Sequence, residues 1–307
     1  MIMERSHKTR PERNHFVPAS YLQRFLNPKS GMLIVYDKEK KEWRNQKPEE
    51  IMFVKNYNRQ EWAPKGVDPY IFERTLSNLE NNAKLVIDKL ISQSKEFTED
   101  EIINFTVFLS YLRTGVPRQA RMVTRLYEEL ISNFARQDVE VSKALQEGKF
   151  IITVRKKESR FNYMRQVLGH HMYFILRMNW TVIYTRQVAK FITTDSPVTY
   201  YNVKIPPPLE AGIGLVGTVI LFPLSPTHLL TLSHPEYDEN SQIDSLTKLE
   251  IKHLQEIEDV GRVAIQYDIE RRDGFVRSTN EILFMQSDRY VVGTNKEDLE
   301  NRLLRTT

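Results

Sequence analysis

Apolar residues recur at three- and four-residue steps through most of the first half of the chain, then give way to short β-rich runs. That change of period predicts an α+β fold: a helix-rich first half with a small β-hairpin, followed by a mostly antiparallel sheet and a C-terminal helix. Ile71, Leu76, Leu79, Ala83, Val86, Ile87, Leu90 and Ile91 mark one helix, opened by Asp68 as N-cap with Pro69 in the first turn. Thr98 and Glu101 form a capping box for a second, whose apolar face is Ile102, Phe105, Phe108, Leu109 and Leu112. Gly115-Val116-Pro117 should break that helix before a continuation over about 118–135. Residues 146–148 read as a connector, and 158–178 as another amphipathic helix. Upstream, 18–26 reads as a short helix with its proline in the first turn, and 32–36 with the stretch around Trp43 as a hairpin turning at 37–41.

In the second half, 180–184, 190–193, 198–201, 219–222 and 228–232 are rich in β-formers and separated by turn residues or prolines. Residues 246–264 return to a helical pattern, 281–285 offer a last strand, and Pro206-Pro207-Pro208 an exposed polyproline-type loop. The expected organisation is one domain over 1–307, helix-rich to about 178 and strand-rich from about 179.

The chain has no cysteine, which removes disulfides, thiolate nucleophiles and thiolate metal sites. Residues 1–16 lack the apolar stretch of a secretory signal, and no run is long and apolar enough to span a bilayer, so the expected location is cytoplasmic and no membrane partner is expected. Net charge is only +4, but residues 149–190 hold nine Lys/Arg against the single acid Glu158. Such a run is commonly a solvated helix face; it is also what an anion-facing surface requires.

Gly-rich phosphate loops, HExxH and GxSxG are missing. Three segments nevertheless carry polar residues that a core would not ask for. His15, just before a helix start, suits a proton shuttle or a structural cap, and Arg24 suits a phosphate or carboxylate. Arg113 and Arg118 flank the Gly/Pro break, where guanidinium groups and free backbone N–H groups make a workable anion site, or merely a kinked helix with two exposed arginines. Phe191-Ile192-Thr193-Thr194-Asp195-Ser196-Pro197 delivers Asp195 to a strand end between the hydroxyls of Thr194 and Ser196. That position suits a metal-binding carboxylate or general base, and equally an Asx turn. Leu221-Phe222-Pro223-Leu224-Ser225-Pro226 reads as a rigid strand crossing, and Glu73 and Glu80 as exposed salt-bridge partners on one helix face.

These segments occur in the order of a known family. His15 to Phe25 fits H-[FY]-[VI]-P-x-x-[YF]-L-x-x-F, Arg113-Thr114 an R-[TS] element, Phe191 to Pro197 F-I-[TS]-[TS]-D-[SN]-P, and Pro223 to Pro226 P-L-[ST]-P. The chain thus resembles the DUF4238 family, and the resemblance implies that His15, Arg113, Asp195 and Ser196 belong together, without supplying a substrate. The expectation drawn from these residues is a nuclease or phosphodiesterase: Asp195 as base or ligand of Mg²⁺ or Mn²⁺, His15 as acid or base, and Arg113 with Arg24, Arg118, Thr194 and Ser196 holding the substrate, steered by the basic region. Two alternatives stand beside it. One is a non-catalytic binding or regulatory module with a structural polar network and a basic docking face. The other is a protein binding a nucleotide or small phosphorylated ligand in a pocket lined by Tyr21, Trp180 and Tyr200.

Overall fold

The computed structural model describes residues 13–149, 151–206, 209–235 and 263–298. Pro18 sits just ahead of α1 (Ala19–Leu22), one position earlier than expected, and its carbonyl accepts the Tyr21 and Leu22 N–H groups; a 3₁₀ turn over Gln23–Phe25 completes the segment. On either side of it lie β1 (Arg13–His15) and the hairpin of β2 (Leu33–Asp37) and β3 (Glu42–Gln46). Asp37 fixes the hairpin turn by accepting the N–H groups of Glu39 and Lys40. β4 (Phe53–Lys55) returns antiparallel to β1, a pairing too short to be visible as a pattern.

Helices then follow: α2 (Ile71–Ile91), α3 (Glu99–Thr114), α4 (Pro117–Ala135), α5 (Val139–Gln146) and α6 (Lys156–Ile175). The capping box forms as expected, with Glu101 N–H donating to Thr98 Oγ1 at 3.2 Å and Thr98 N–H to Glu101 Oε2 at 2.8 Å. Asp68 acts as a turn-former, accepting the Tyr70 N–H, and α2 starts three residues later. α5 was not anticipated. Glu73 and Glu80 depart from the salt-bridge expectation: Glu73 accepts Asn58 Nδ2 at 2.7 Å, and Glu80 is half-buried.

The second half supplies β5 (Asn179–Tyr184), β6 (Thr193–Thr194), β7 (Thr199–Tyr201), β8 (Val219–Ser225), β9 (His228–Ser233), β10 (Ile265–Glu270), α7 (Asp273–Gln286) and β11 (Tyr290–Gly293). Five strands run in the order β10-β5-β9-β8-β7, antiparallel except for the β10-β5 pair. A four-stranded antiparallel sheet, β3-β2-β11-β6, joins the N-terminal hairpin to strands of the second half. Pro223 lies within β8 beyond the reach of β7, which pairs only as far as Leu221, so its missing N–H faces no β7 partner. The 281–285 run is not a strand: it belongs to α7, whose Val276, Leu283 and Asn280 turn inward at helical spacing. Of 190–193 only Thr193 enters a strand. The helical pattern at 246–262 and the prolines at 207–208 lie outside the described residues.

The main core draws on both halves: Leu22, Phe25, Leu90, Phe105 and Phe108 pack in the same cluster as Trp180, Phe222 and Leu232. Fully burying each such side chain contributes roughly 1.5–3 kcal/mol. Tyr21 stacks on Phe222, and its hydroxyl donates to Pro223 O at 2.7 Å, while Trp180 Nε1 donates to Ile175 O. These two aromatics are core, with their polar ends satisfied by the protein itself. Among the described residues no helix is long and apolar enough to cross a membrane.

Candidate functional site

The break at Gly115-Val116-Pro117 turns the end of α3 and the start of α4 toward one carboxylate. Arg113 pairs with Glu210, Arg118 reaches it at 3.0 Å, and Gln119 Nε2 donates to it at 2.6 Å. Burial alone would raise the Glu210 carboxyl, but Arg113, Arg118 and Gln119 outweigh it and hold it below the usual carboxylate range. The Arg113 guanidinium lies 4.2 Å from the centre of the Tyr200 ring. Behind it His171 shares a 2.9 Å hydrogen bond with Ser110; burial first, then the Arg113 charge, lowers its pKa to about 4, so the imidazole is neutral. The anion that the two guanidinium groups hold is thus the chain's own.

Asp195 is buried, and backbone amides occupy its carboxylate. Oδ1 accepts the Asp288 N–H at 2.9 Å, and Oδ2 the Arg289 and Tyr290 N–H groups at 2.6 and 2.8 Å. Burial raises its pKa to about 6 against the pull of those three donors. Amide hydrogens converging on both oxygens repel a cation, and among the described residues no group of three His, Asp or Glu side chains could hold a metal ion. The surroundings of Asp195 therefore do not fit a divalent ion. Thr194 Oγ1 accepts the Ser196 N–H at 3.0 Å, and Ser196 Oγ is buried with no hydrogen-bond partner among the described residues.

His15 takes its contacts from other groups. Its ring meets Phe53 edge-on at 5.8 Å, and its Nε2 finds no hydrogen-bond partner among the described residues. Burial lowers its pKa against the influence of Glu49 and Glu73. Arg24 pairs with Asp88 at 2.7 Å. The arrangement brings Arg113 and Arg118 together; His15, Arg24 and Asp195 each hold separate partners.

A different constellation is gathered between the first three turns of α4 and the start of α6. A cleft of about 450 Å³ is lined by Arg121, Arg125, Lys156, Lys157 and Arg160, with Glu128 at one side. Arg160 is fully buried and anchored, donating to Gly115 O, Tyr57 O and Asn58 Oδ1 at 2.9–3.1 Å and stacking on the Tyr57 ring at 3.7 Å. Arg121 pairs with Asp288 and Lys157 with Glu61, whereas Arg125 and Lys156 take no ion-pair partner among the described residues. Neither helix start is closed by a capping side chain; the first turn of α4 carries no acid, so its dipole adds to the positive potential, whereas α6 carries Glu158 in its first turn. The basic run at 149–190 pointed to Lys156, Lys157 and Arg160. Arg121 and Arg125 were missed, although their four-residue spacing on one helix face was a readable signal. Asp195 is linked to this cleft through Asp288, whose amide it accepts and whose carboxylate pairs with Arg121.

A family model described as a protein of unknown function, DUF4238, matches residues 13–297. No curated protein and no solved structure matches the chain.

Proposed function

Because the chain belongs to the DUF4238 family, whose description assigns no activity, we propose from its own geometry that it binds a nucleic-acid strand in the basic cleft between α4 and α6, without chemistry at that site. The carrying observation is five cationic side chains around one cleft, two of them without an ion-pair partner among the described residues. Arg160, held rigidly by three backbone and amide oxygens, forms a preorganised floor, while Arg125 and Lys156 are available for phosphates. The residues expected to be catalytic support this reading by what they already hold. Asp195 is taken by three amides, and Arg113 and Arg118 by Glu210. In this reading they fix α4 and the 288–290 turn in place, as a satisfied polar network does.

Fluorescence anisotropy with labelled single- and double-stranded oligonucleotides tests the proposal. Wild type should bind with an affinity that falls steeply with salt, and the double variant Arg125→Glu/Lys156→Glu should lose at least about tenfold. Absence of binding at low salt, or an unimpaired double variant, overturns it. Strand cleavage by wild type that is abolished in folded His15→Ala and Asp195→Ala proteins would replace it with the hydrolase reading.

A further inference from the structure

Beside the basic cleft the surface continues into an aromatic one. A second cavity, lined by Glu61, Trp62, Arg155 and Glu158, shares Lys156 and Lys157 with the cleft. It in turn shares Trp62 with a third cavity of about 450 Å³ between α2, α3 and α6. The walls of this third cavity are Trp62, Phe72 and Phe161, set edge to face with ring centres 5.4 Å apart for Trp62–Phe161 and 4.7 Å for Phe72–Phe161. Polar residues interrupt the apolar lining, among them Gln60, Thr75, Ser110, Asn162 and Arg165. The pattern is one of cations leading to an aromatic pocket with a few hydrogen-bonding groups.

We propose that the Trp62–Phe72–Phe161 pocket is a nucleobase subsite, which receives a base flipped from a single strand whose phosphates lie along Arg125 and Lys156. The inference rests on the cleft being a nucleic-acid site, and adds that the bound form is single-stranded. A duplex must first unpair and unstack a base to fill the pocket, at a cost of a few kcal/mol, whereas a single strand can splay one out against an aromatic face. The volume falls in the range of preformed small-molecule pockets, ample for one base. The hydrogen-bonding residues in the lining suit the donor and acceptor edge that every base presents, which a purely apolar occupant would leave unpaired. Trp62 lines both the pocket and the cavity that joins it to the cations. It is also about a third exposed, at 36%, so its replacement leaves the core intact.

The experiment compares a single-stranded oligonucleotide with an abasic sugar-phosphate strand of equal length, against wild type, Trp62→Ala and Trp62→Phe. Wild type should prefer the base-bearing strand by about tenfold, the size of one base–aromatic stack. Trp62→Ala should bind both strands alike, at the affinity of wild type for the abasic strand, and Trp62→Phe should recover most of the preference. Titration should also quench tryptophan emission in wild type and leave it unchanged in Trp62→Phe, because Trp180 is fully buried and Trp43 belongs to the distant β3 hairpin. If wild type binds the two strands equally, or Trp62→Ala keeps the preference, the base subsite is overturned and the cleft proposal stands. If neither strand binds, both fall.

Discussion

At Asp195 a single side chain holds three consecutive backbone amides, those of residues 288–290, where the chain passes from α7 into β11. Each oxygen acts only as an acceptor, which an aspartate supplies and an asparagine does not. Asp195→Asn turns an NH₂ group toward at least one N–H and leaves that donor buried and unpaired, so it should cost roughly 2–4 kcal/mol in a urea titration. A loss below about half a kcal/mol, as at an ordinary surface position, would mean the turn does not depend on the carboxylate. Glu80 poses a different case. Burial, with Glu73 beside it, raises its pKa to about 7 from an ordinary 4.5. A carboxyl raised in the folded state contributes stability that is complete below the unfolded value and is lost as pH rises through the folded one. Stability should therefore fall between about pH 5 and pH 8, with Asp195 adding to the slope in the same sense. Glu80→Gln should reduce that slope and gain roughly 1–3 kcal/mol over wild type at about pH 8. An unchanged slope would assign the proton uptake to other groups. The sequence showed that Asp195 sits at a strand end between hydroxyls, but not which partners it would meet. Those partners come from a segment more than ninety residues away, and local pattern carries no information about them.

Elements whose signals are local were legible, and those that depend on distant pairing were not. The Thr98 capping box needs only four residues, and the α3–α4 break only Gly115-Val116-Pro117. At Gly115 the backbone is ordinary and the constraint is steric: an added Cβ would lie 2.6 Å from Tyr111 Cε2 and 2.8 Å from its carbonyl oxygen. Gly115→Ala should lower stability by roughly 1–3 kcal/mol through this overlap. Gly169→Ala is its control. That glycine lies inside α6 with nothing within 4 Å of the new methyl, and the change should raise stability by roughly 0.5–1 kcal/mol through helix propensity. Thermal denaturation of the pair decides it: similar effects in the two would remove the steric account of the break. By contrast, Glu281-Ile282-Leu283-Phe284-Met285 was misread as a strand because five contiguous residues cannot distinguish a period of two from 3.6. The inward positions Val276, Thr279, Asn280 and Leu283 settle it as helix. β1, β4 and β10 escaped notice for a related reason, since their partners lie elsewhere in the chain.

For the whole molecule, a net charge of +4 conceals its distribution. The run at 149–190 was legible as a basic stretch, yet what makes it a cleft is Arg121 and Arg125 facing it from α4. The break after Thr114 aims that helix, so a backbone feature readable in three residues determines where charges from two helices converge. The same economy of local signals does not extend to the four-stranded sheet. There β2 lies between β3, nine residues away, and β11, with Tyr290 opposite Asp37 about 250 positions on. At a synthesis rate of about 5–20 residues per second, β2 and its apolar Leu33 and Val35 wait roughly 12–50 s on the ribosome before their second neighbour exists. For that interval one edge of the hairpin is an open template, and its protection falls to the nascent chain's own helices and to whatever holdase is at hand.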